Sequence, residues 1–214
     1  MQDSITEYRD LLSERKFEII DGQLIIQARL PHRNHGRVES NVYRMFDKYF
    51  MGRKCRVYKD DTHIRLDIIE KTTDIKLPDK NKKDRYRPDI MVVCDRTIDT
   101  PDGIVGAPDL VIEIVSLSSM IYDKEIKKKV YELIGVKEYW IIHHIEKSIE
   151  IYLLKDGKYV LSAVYGKLKE APDEILEIFL GGKIEDSELK EEFSPFSFPD
   201  LIIKIDDVFE DMFE

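Results

Sequence analysis

Arg87-Pro88-Asp89-Ile90-Met91-Val92-Val93 and Asp109-Leu110-Val111-Ile112-Glu113-Ile114-Val115 are the two stretches on which the fold of this chain turns. Each is a short apolar run with little polar alternation, the pattern of a strand covered on both faces. Each also carries an acid, Asp89 at the start of the first and Glu113 inside the second. Gly103, Gly106 and Pro108 mark the connection between them. A helical segment follows from about Met120 to Ile134, in which Asp123, Lys127, Tyr131 and Gly135 recur every four residues. Gly135 is the expected stop, and a serine from Ser116 to Ser119 is a candidate cap.

An ionised carboxylate is costly to bury without a partner. Asp89 follows a proline and could face solvent. Glu113, with Leu110-Val111-Ile112 before it and Ile114-Val115 after it, needs a cation, a metal or hydrogen-bond donors. A salt bridge, with Lys127 as one candidate, and a metal pair answer that need equally well. Hard divalent cations such as Mg2+ or Mn2+ take one or two carboxylates and complete their shell with water and phosphate oxygens. Asp89 and Glu113 suit that role, with the carbonyl of Ile114 as a third ligand. Lys127 would then bring an ammonium to the attacking water or the developing charge of phosphodiester hydrolysis. Asp123 either orients Lys127 or is the acid that suits a helix start. Tyr131 reads as packing.

Working outward, residues 4–15 read as an amphipathic helix. Phe17–Ile20 and Gln23–Ile26 read as a hairpin turned at Asp21-Gly22. Glu18 reads as an ordinary strand carboxylate in preference to a neighbour of the active site. A helix is expected from about His35 to Phe50, from the spacing of Val38, Val42, Met45, Phe46 and Tyr49. His35 and Glu39, one turn apart on it, read as exposed or capping in preference to contacts for a metal or a phosphate. Strands are expected at 55–59, 62–69, 88–94, 109–115 and 138–143, with a hairpin at 149–154 and 159–164. Residues 70–86 read as a long charged loop beside the site. Weaker strands fall at 175–179 and 201–205, a short helix or loop at 183–194, and Asp206 as the cap of a final turn reaching Met212. The order implies one α/β domain over residues 1–214, with a mixed sheet flanked by helices.

The 214 residues, 43% hydrophobic, suffice for one core. The first ten residues carry charges where a signal peptide would be apolar, and no apolar run would span a bilayer, so a cytoplasmic protein is expected. Cys55 and Cys94 lie in apolar strands and read as reduced core thiols rather than a disulfide or metal site. The net charge of −9 argues against a general nucleic-acid binder. Basic residues nevertheless crowd two places, Lys76 to Arg87 and Lys124 to Lys129, compatible with a phosphate-bearing substrate or with solvated faces. There is no Gly-Xaa-Ser-Xaa-Gly elbow, P-loop or dinucleotide fingerprint. His32, His35, His63, His143 and His144 lack zinc spacing. A carboxylate-pair glycosidase leaves Lys127 without a role.

These residues resemble the Uma-two family of restriction-endonuclease-like proteins, within the PD-(D/E)XK nuclease superfamily. The likeness rests on Arg87-Pro88-Asp89, Gly106-Ala107-Pro108-Asp109 through Ser116, the Asp123, Lys127, Tyr131, Gly135 spacing, and Val136-Lys137-Glu138-Tyr139-Trp140. Phe17 to Leu24, the helix opened by His35, and Phe198-Pro199-Asp200-Leu201 extend it weakly. The resemblance implies a restriction-endonuclease-like core and a metal-dependent nuclease acting on DNA, with Asp89 and Glu113 as ligands of Mg2+ or Mn2+, and a homodimer. The superfamily's lysine lies two residues after the second acid, where this chain has Val115; the resemblance moves that role to Lys127 and lets Glu18 support the site. Leu117 and His143 depart from the family pattern of proline and aspartate. The alternative is a non-enzymatic nucleic-acid-binding or interaction protein that keeps the acids and the lysine as a structural ion pair.

Overall fold

In the computed structural model, described over residues 17–20, 23–26, 33–59, 61–72, 84–115, 122–166 and 190–213, the chain begins with β1 (Phe17–Ile20) and β2 (Gln23–Ile26). Next come α1 (Arg33–Phe50), β3 (Arg56–Lys59), β4 (Ile64–Arg65) and α2 (Leu66–Thr72). Then follow β5 (Arg85–Tyr86), β6 (Ile90–Val93), β7 (Asp99–Thr100), β8 (Gly103–Ile104) and β9 (Leu110–Val115). A π-helical turn (Tyr122–Lys127) runs into α3 (Lys128–Ile134). The chain continues through β10 (Glu138–His143), β11 (Ser148–Lys155), β12 (Lys158–Gly166), β13 (Glu192–Phe193), β14 (Ile203–Lys204) and α4 (Ile205–Val208). The expected helix at 4–15, the Asp21-Gly22 turn, residues 73–83 of the loop expected over 70–86, the serines at 116–119, the strand at 175–179 and most of 183–194 lie outside the described residues; the described flanks of that loop are instead the end of α2 and the strand β5.

The two apolar runs are neighbours at the centre of a mixed sheet ordered β12-β11-β10-β9-β6-β3. β9 pairs antiparallel with β6 and parallel with β10, and every residue of the three is buried. Alternate side chains therefore enter two different cores. Ile90, Val92, Leu110, Ile112, Ile114, Trp140 and Ile142 pack with Val38, Val42 and Phe46 of α1, and with Ile205 and Val208 of α4. Met91, Val93, Val111, Val115, Tyr139 and Ile141 pack with Val130, Tyr131 and Ile134 of α3. Ile20, Ile64, Leu66 and Tyr86, around a second sheet ordered β2-β1-β5-β4-β8-β7, join that second core. The α/β class with a mixed, helix-flanked sheet and added hairpins is thus the observed architecture. No described helix is long and apolar enough to cross a membrane.

Local signals behave as their chemistry dictates at the best-marked ends. Gly135 adopts φ 92°, and its N–H bonds back to the carbonyls of Tyr131 and Glu132, closing α3. Asp156 and Gly157, at φ 51° and 75°, turn the β11–β12 hairpin in the way a two-residue turn requires.

Several expectations are corrected. Residues 62–69 are not one strand: β4 ends at Arg65 and Leu66 begins a helix. Leu66 and Ile69 lie three apart, so a helical turn buries both beside Ile64, whereas a strand would send them to opposite faces. Glu192–Phe193 is a strand paired with Ile203–Lys204, not part of a helix or loop. Lys204, not Asp206, holds the N-cap position of α4, and that helix ends at Val208 rather than reaching Met212. Cys55 and Cys94 form a disulfide, not a pair of reduced thiols. The β3–β6 register pairs Arg56 with Val93, so one further step sets the cysteines opposite each other, with Cα atoms 4.0 Å apart.

Candidate active site

The β6–β9 register pairs Ile90 with Ile112 and Met91 with Val111. Continued one step, it sets Asp89 opposite Glu113. On the far side β10 places Ile141 beside Glu113. The pleat turns Glu113 toward the face covered by α3, where it is 1% exposed.

Asp89 does not simply face solvent. Its Oδ2 accepts the Ile114 amide at 2.7 Å, tying the first acid to the strand of the second. Its Oδ1 stands 3.4 Å from Nε2 of His35, which comes from α1 on the opposite face. Burial pushes this carboxyl up, but His35, Lys127 and the Ile114 amide outweigh it and hold the carboxyl below its usual range. Ile114, expected to offer a carbonyl, is thus engaged through its amide.

Lys127 closes the π-helical turn, a local widening often found at functional sites. Its Nζ lies 3.0 Å from Glu113 Oε1, 3.3 Å from Glu18 Oε1 and 3.5 Å from Asp123 Oδ1. It also donates to the Arg87 carbonyl at 3.4 Å. Tyr131, one turn on, donates to the same Glu113 oxygen at 2.8 Å, so it is more than packing. Glu18 accepts the Arg87 amide at 2.8 Å. The structure thus brings Asp89, Glu113 and Lys127 into one cluster, joins to it Glu18 and Asp123, whose parts the sequence left open, and adds Tyr131 and His35.

Four carboxylates, those of Glu18, Asp89, Glu113 and Asp123, share this cluster with one buried ammonium. Burial raises the Glu113 carboxyl well above its usual range; Lys127 opposes the rise, while Asp89, Asp123 and Glu18 add to it. Burial alone would lower Lys127, but the carboxylates of Glu113, Glu18, Asp123 and Asp89 hold its ammonium well above the usual lysine range. Burial leads the first shift and the neighbouring carboxylates produce the second while adding to the first, so Glu113 and Lys127 both hold their protons more tightly than in water. A hard divalent cation suits such an oxygen-rich donor set. Among the described residues no three His, Cys, Asp or Glu side chains form a ready cage. The donors fit the kind of site that uses two carboxylates and fills the rest with water and substrate oxygens.

Around this centre are residues that spacing does not mark. His144 Nδ1 lies 2.9 Å from the Val115 carbonyl, and its ring centroid is 6.3 Å from that of His35. His143 meets Glu150 at 3.1 Å, and the same carboxylate accepts from Lys124 and Tyr152, each at 2.7 Å. Burial alone would raise the Glu150 carboxyl; those three donors bring it to about 2. Glu138 is fully buried and accepts from Trp140 Nε1, Phe196 N and Ser197 N at 2.8, 3.1 and 2.7 Å, anchoring the C-terminal segment. Glu39, expected to be exposed or capping, is buried and stands 3.4 Å from Lys59. A signal for Glu18 was present: like Glu113, it is an acid inside an apolar strand run.

Comparison with solved structures finds the same fold in a protein from Anabaena variabilis, whose crystal structure is described as that of "a putative nuclease belonging to DUF820". The TM-score is 0.61 at 17% identity, over 92% of this chain and 90% of that one. No curated protein matches the chain. The Uma2 family model, described as "Putative restriction endonuclease", matches residues 5–182. A family match over most of the sequence places this chain in the Uma2 family.

Proposed function

We propose that this protein is a metal-dependent endonuclease that hydrolyses phosphodiester bonds in DNA. One observation carries the reading: Lys127 Nζ, 3.0 Å from Glu113, shares a cation-poor cluster with Asp89, which is bonded to the Ile114 amide. Asp89 and Glu113 would hold Mg2+ or Mn2+, with the Ile114 carbonyl beside them. When bound, such an ion lowers the pKa of a ligated water and offsets phosphate charge. Lys127 orients the attacking water and stabilises charge developing on the phosphoryl oxygens. Glu18 and Asp123 hold the Lys127 ammonium in place, and Tyr131 fixes the Glu113 carboxylate. Two chains in a homodimer would offer one such centre to each strand of a duplex.

A second reading is favoured by the closed Lys127–Glu113 contact and the net charge of −9: a non-catalytic interaction protein in which that pair is structural. Cleavage of mixed single- and double-stranded DNA with Mg2+ or Mn2+ separates the two. Wild type should cleave, and Glu113→Ala and Lys127→Ala, prepared with matched folding, should not. A folded wild type that cleaves neither substrate, with no rise in Tm on adding Mn2+, rules for the second reading.

A further inference from the structure

Resting on the nuclease reading, we propose that Arg87 is a phosphate-binding residue, whose guanidinium clamps a backbone phosphate of the nucleic acid beside the one that is cleaved.

Arg87 is already built into the site through its main chain. Its amide donates to Glu18 Oε1, its carbonyl accepts from Lys127 Nζ, and Asp89 follows two residues later. Its side chain is treated differently from those around it. Arg65 and Arg85 both meet Asp67, at 2.7 and 3.2 Å, and Arg96 meets Asp99 at 3.2 Å. Among the described residues no carboxylate lies within ion-pair range of the Arg87 guanidinium. Its Nε, like that of Arg85, is shut off from solvent without a hydrogen-bond acceptor among them, but Arg85 is paired with Asp67 through its Nη2 whereas Arg87 has no such pair.

A buried donor left without an acceptor is destabilising, and native proteins keep few of them. The side chain as a whole is half-buried, so part of the fork still opens outward. Burial lowers the affinity of this guanidinium for its proton, yet Asp61 and Glu18 act in the opposite direction and the group stays charged. Among the described residues the guanidinium thus sits beside the cluster with no hydrogen-bonded or ion-paired acceptor, under only the longer-range pull of Asp61 and Glu18.

Phosphate meets the remaining requirement. A polyanion approaching Glu18, Asp89, Glu113 and Asp123 is repelled unless cations offset them. Lys127 is engaged with three of these four acids. Arg87 is the neighbouring cation whose side chain is not committed in that way. A planar fork matches two non-bridging phosphate oxygens, and Nε is one of the donors such a bidentate contact uses.

The test is binding of a short fluorescent DNA duplex in Ca2+, across a salt series, by wild type, Arg87→Ala, Arg87→Lys and, as a control, Arg96→Ala. Tm is measured for each, and binding is read well below the lowest Tm. Arg87→Ala should weaken binding roughly tenfold and reduce the salt slope by about one phosphate contact. Arg87→Lys should restore the slope but not the full affinity, because it keeps charge and loses the fork. Arg96→Ala should match wild type. Duplex binding with affinity and slope unchanged in Arg87→Ala overturns this inference alone, and a fall in Tm with unchanged binding makes Arg87 a structural residue only. Absence of duplex binding by wild type overturns both this inference and the reading on which it rests.

Discussion

The Nζ of Lys127 stands 3.0 Å from Oε1 of Glu113, although the two residues are fourteen apart and lie on different elements. The strand presents the acid from below and the π-helical turn lowers the ammonium from above. Tyr131, one turn further, donates to the same oxygen. The consequences can be measured separately.

Removing the Tyr131 hydroxyl tests whether that donor fixes the carboxylate. Tyr131→Phe keeps the buried ring and loses one hydrogen bond to a charged acceptor, a contact worth about 1.5–3 kcal/mol. Single-turnover cleavage should slow about tenfold, with the fold intact by circular dichroism. An unchanged rate would return Tyr131 to packing alone.

Glu113→Gln should raise stability at neutral pH in the absence of divalent cation. A carboxyl whose folded pKa lies well above its ordinary 4.5 contributes stability below that value and loses it as pH rises through the folded pKa. An isosteric neutral amide removes that loss. The expected Tm rise is about 2–4 °C per kcal/mol gained, and the Mn2+-induced rise expected of wild type should disappear. A Tm below that of wild type at pH 7 would mean the ion pair with Lys127 outweighs the crowding of like charges.

Glu150 has the opposite sign. Its folded pKa of about 2 lies below the ordinary 4.5, so its contribution is present above pH 4.5 and is lost as pH falls toward 2. The gap in Tm between wild type and Glu150→Gln should therefore be widest above pH 4.5 and close toward pH 2. A constant gap across that window would show that Lys124, His143 and Tyr152 do not act through the charge.

The Cys55–Cys94 bridge spans 39 residues. Closing a loop of that length removes unfolded-state entropy equivalent to about 4 kcal/mol, and measured effects usually fall between about 2 and 4 kcal/mol. Cys55→Ser or dithiothreitol should lower urea stability by that order. No change in the urea midpoint on reduction would show that the two strands hold their register without the bond.

The residues that gather in the Glu113 cluster were legible for a physical reason. Asp89 and Glu113 interrupt apolar strands, where a charge needs a partner, and Lys127 falls on the four-residue spacing that ends at Gly135. The hairpin of β11 and β12 was legible because Asp156-Gly157 suits its turn. Residues 62–69 were misread because Ile64, Leu66 and Ile68 mimic strand alternation over too short a run. Cys55 and Cys94 looked like core thiols because nothing in either run reveals which strand lies opposite.

What the sequence alone determined is which segments bury both faces and where carboxylates are stranded within them, because burial and hydrogen bonding act on neighbours along the chain. Only the tertiary structure decided that Glu18 and Asp123 join Lys127, that His35 reaches Asp89 from the far face, that Arg87 Nε finds no acceptor among the described residues, and that two cysteines meet. Those contacts depend on strand order, register and helix docking, which arise from packing between segments far apart in the chain and leave no local periodicity to read.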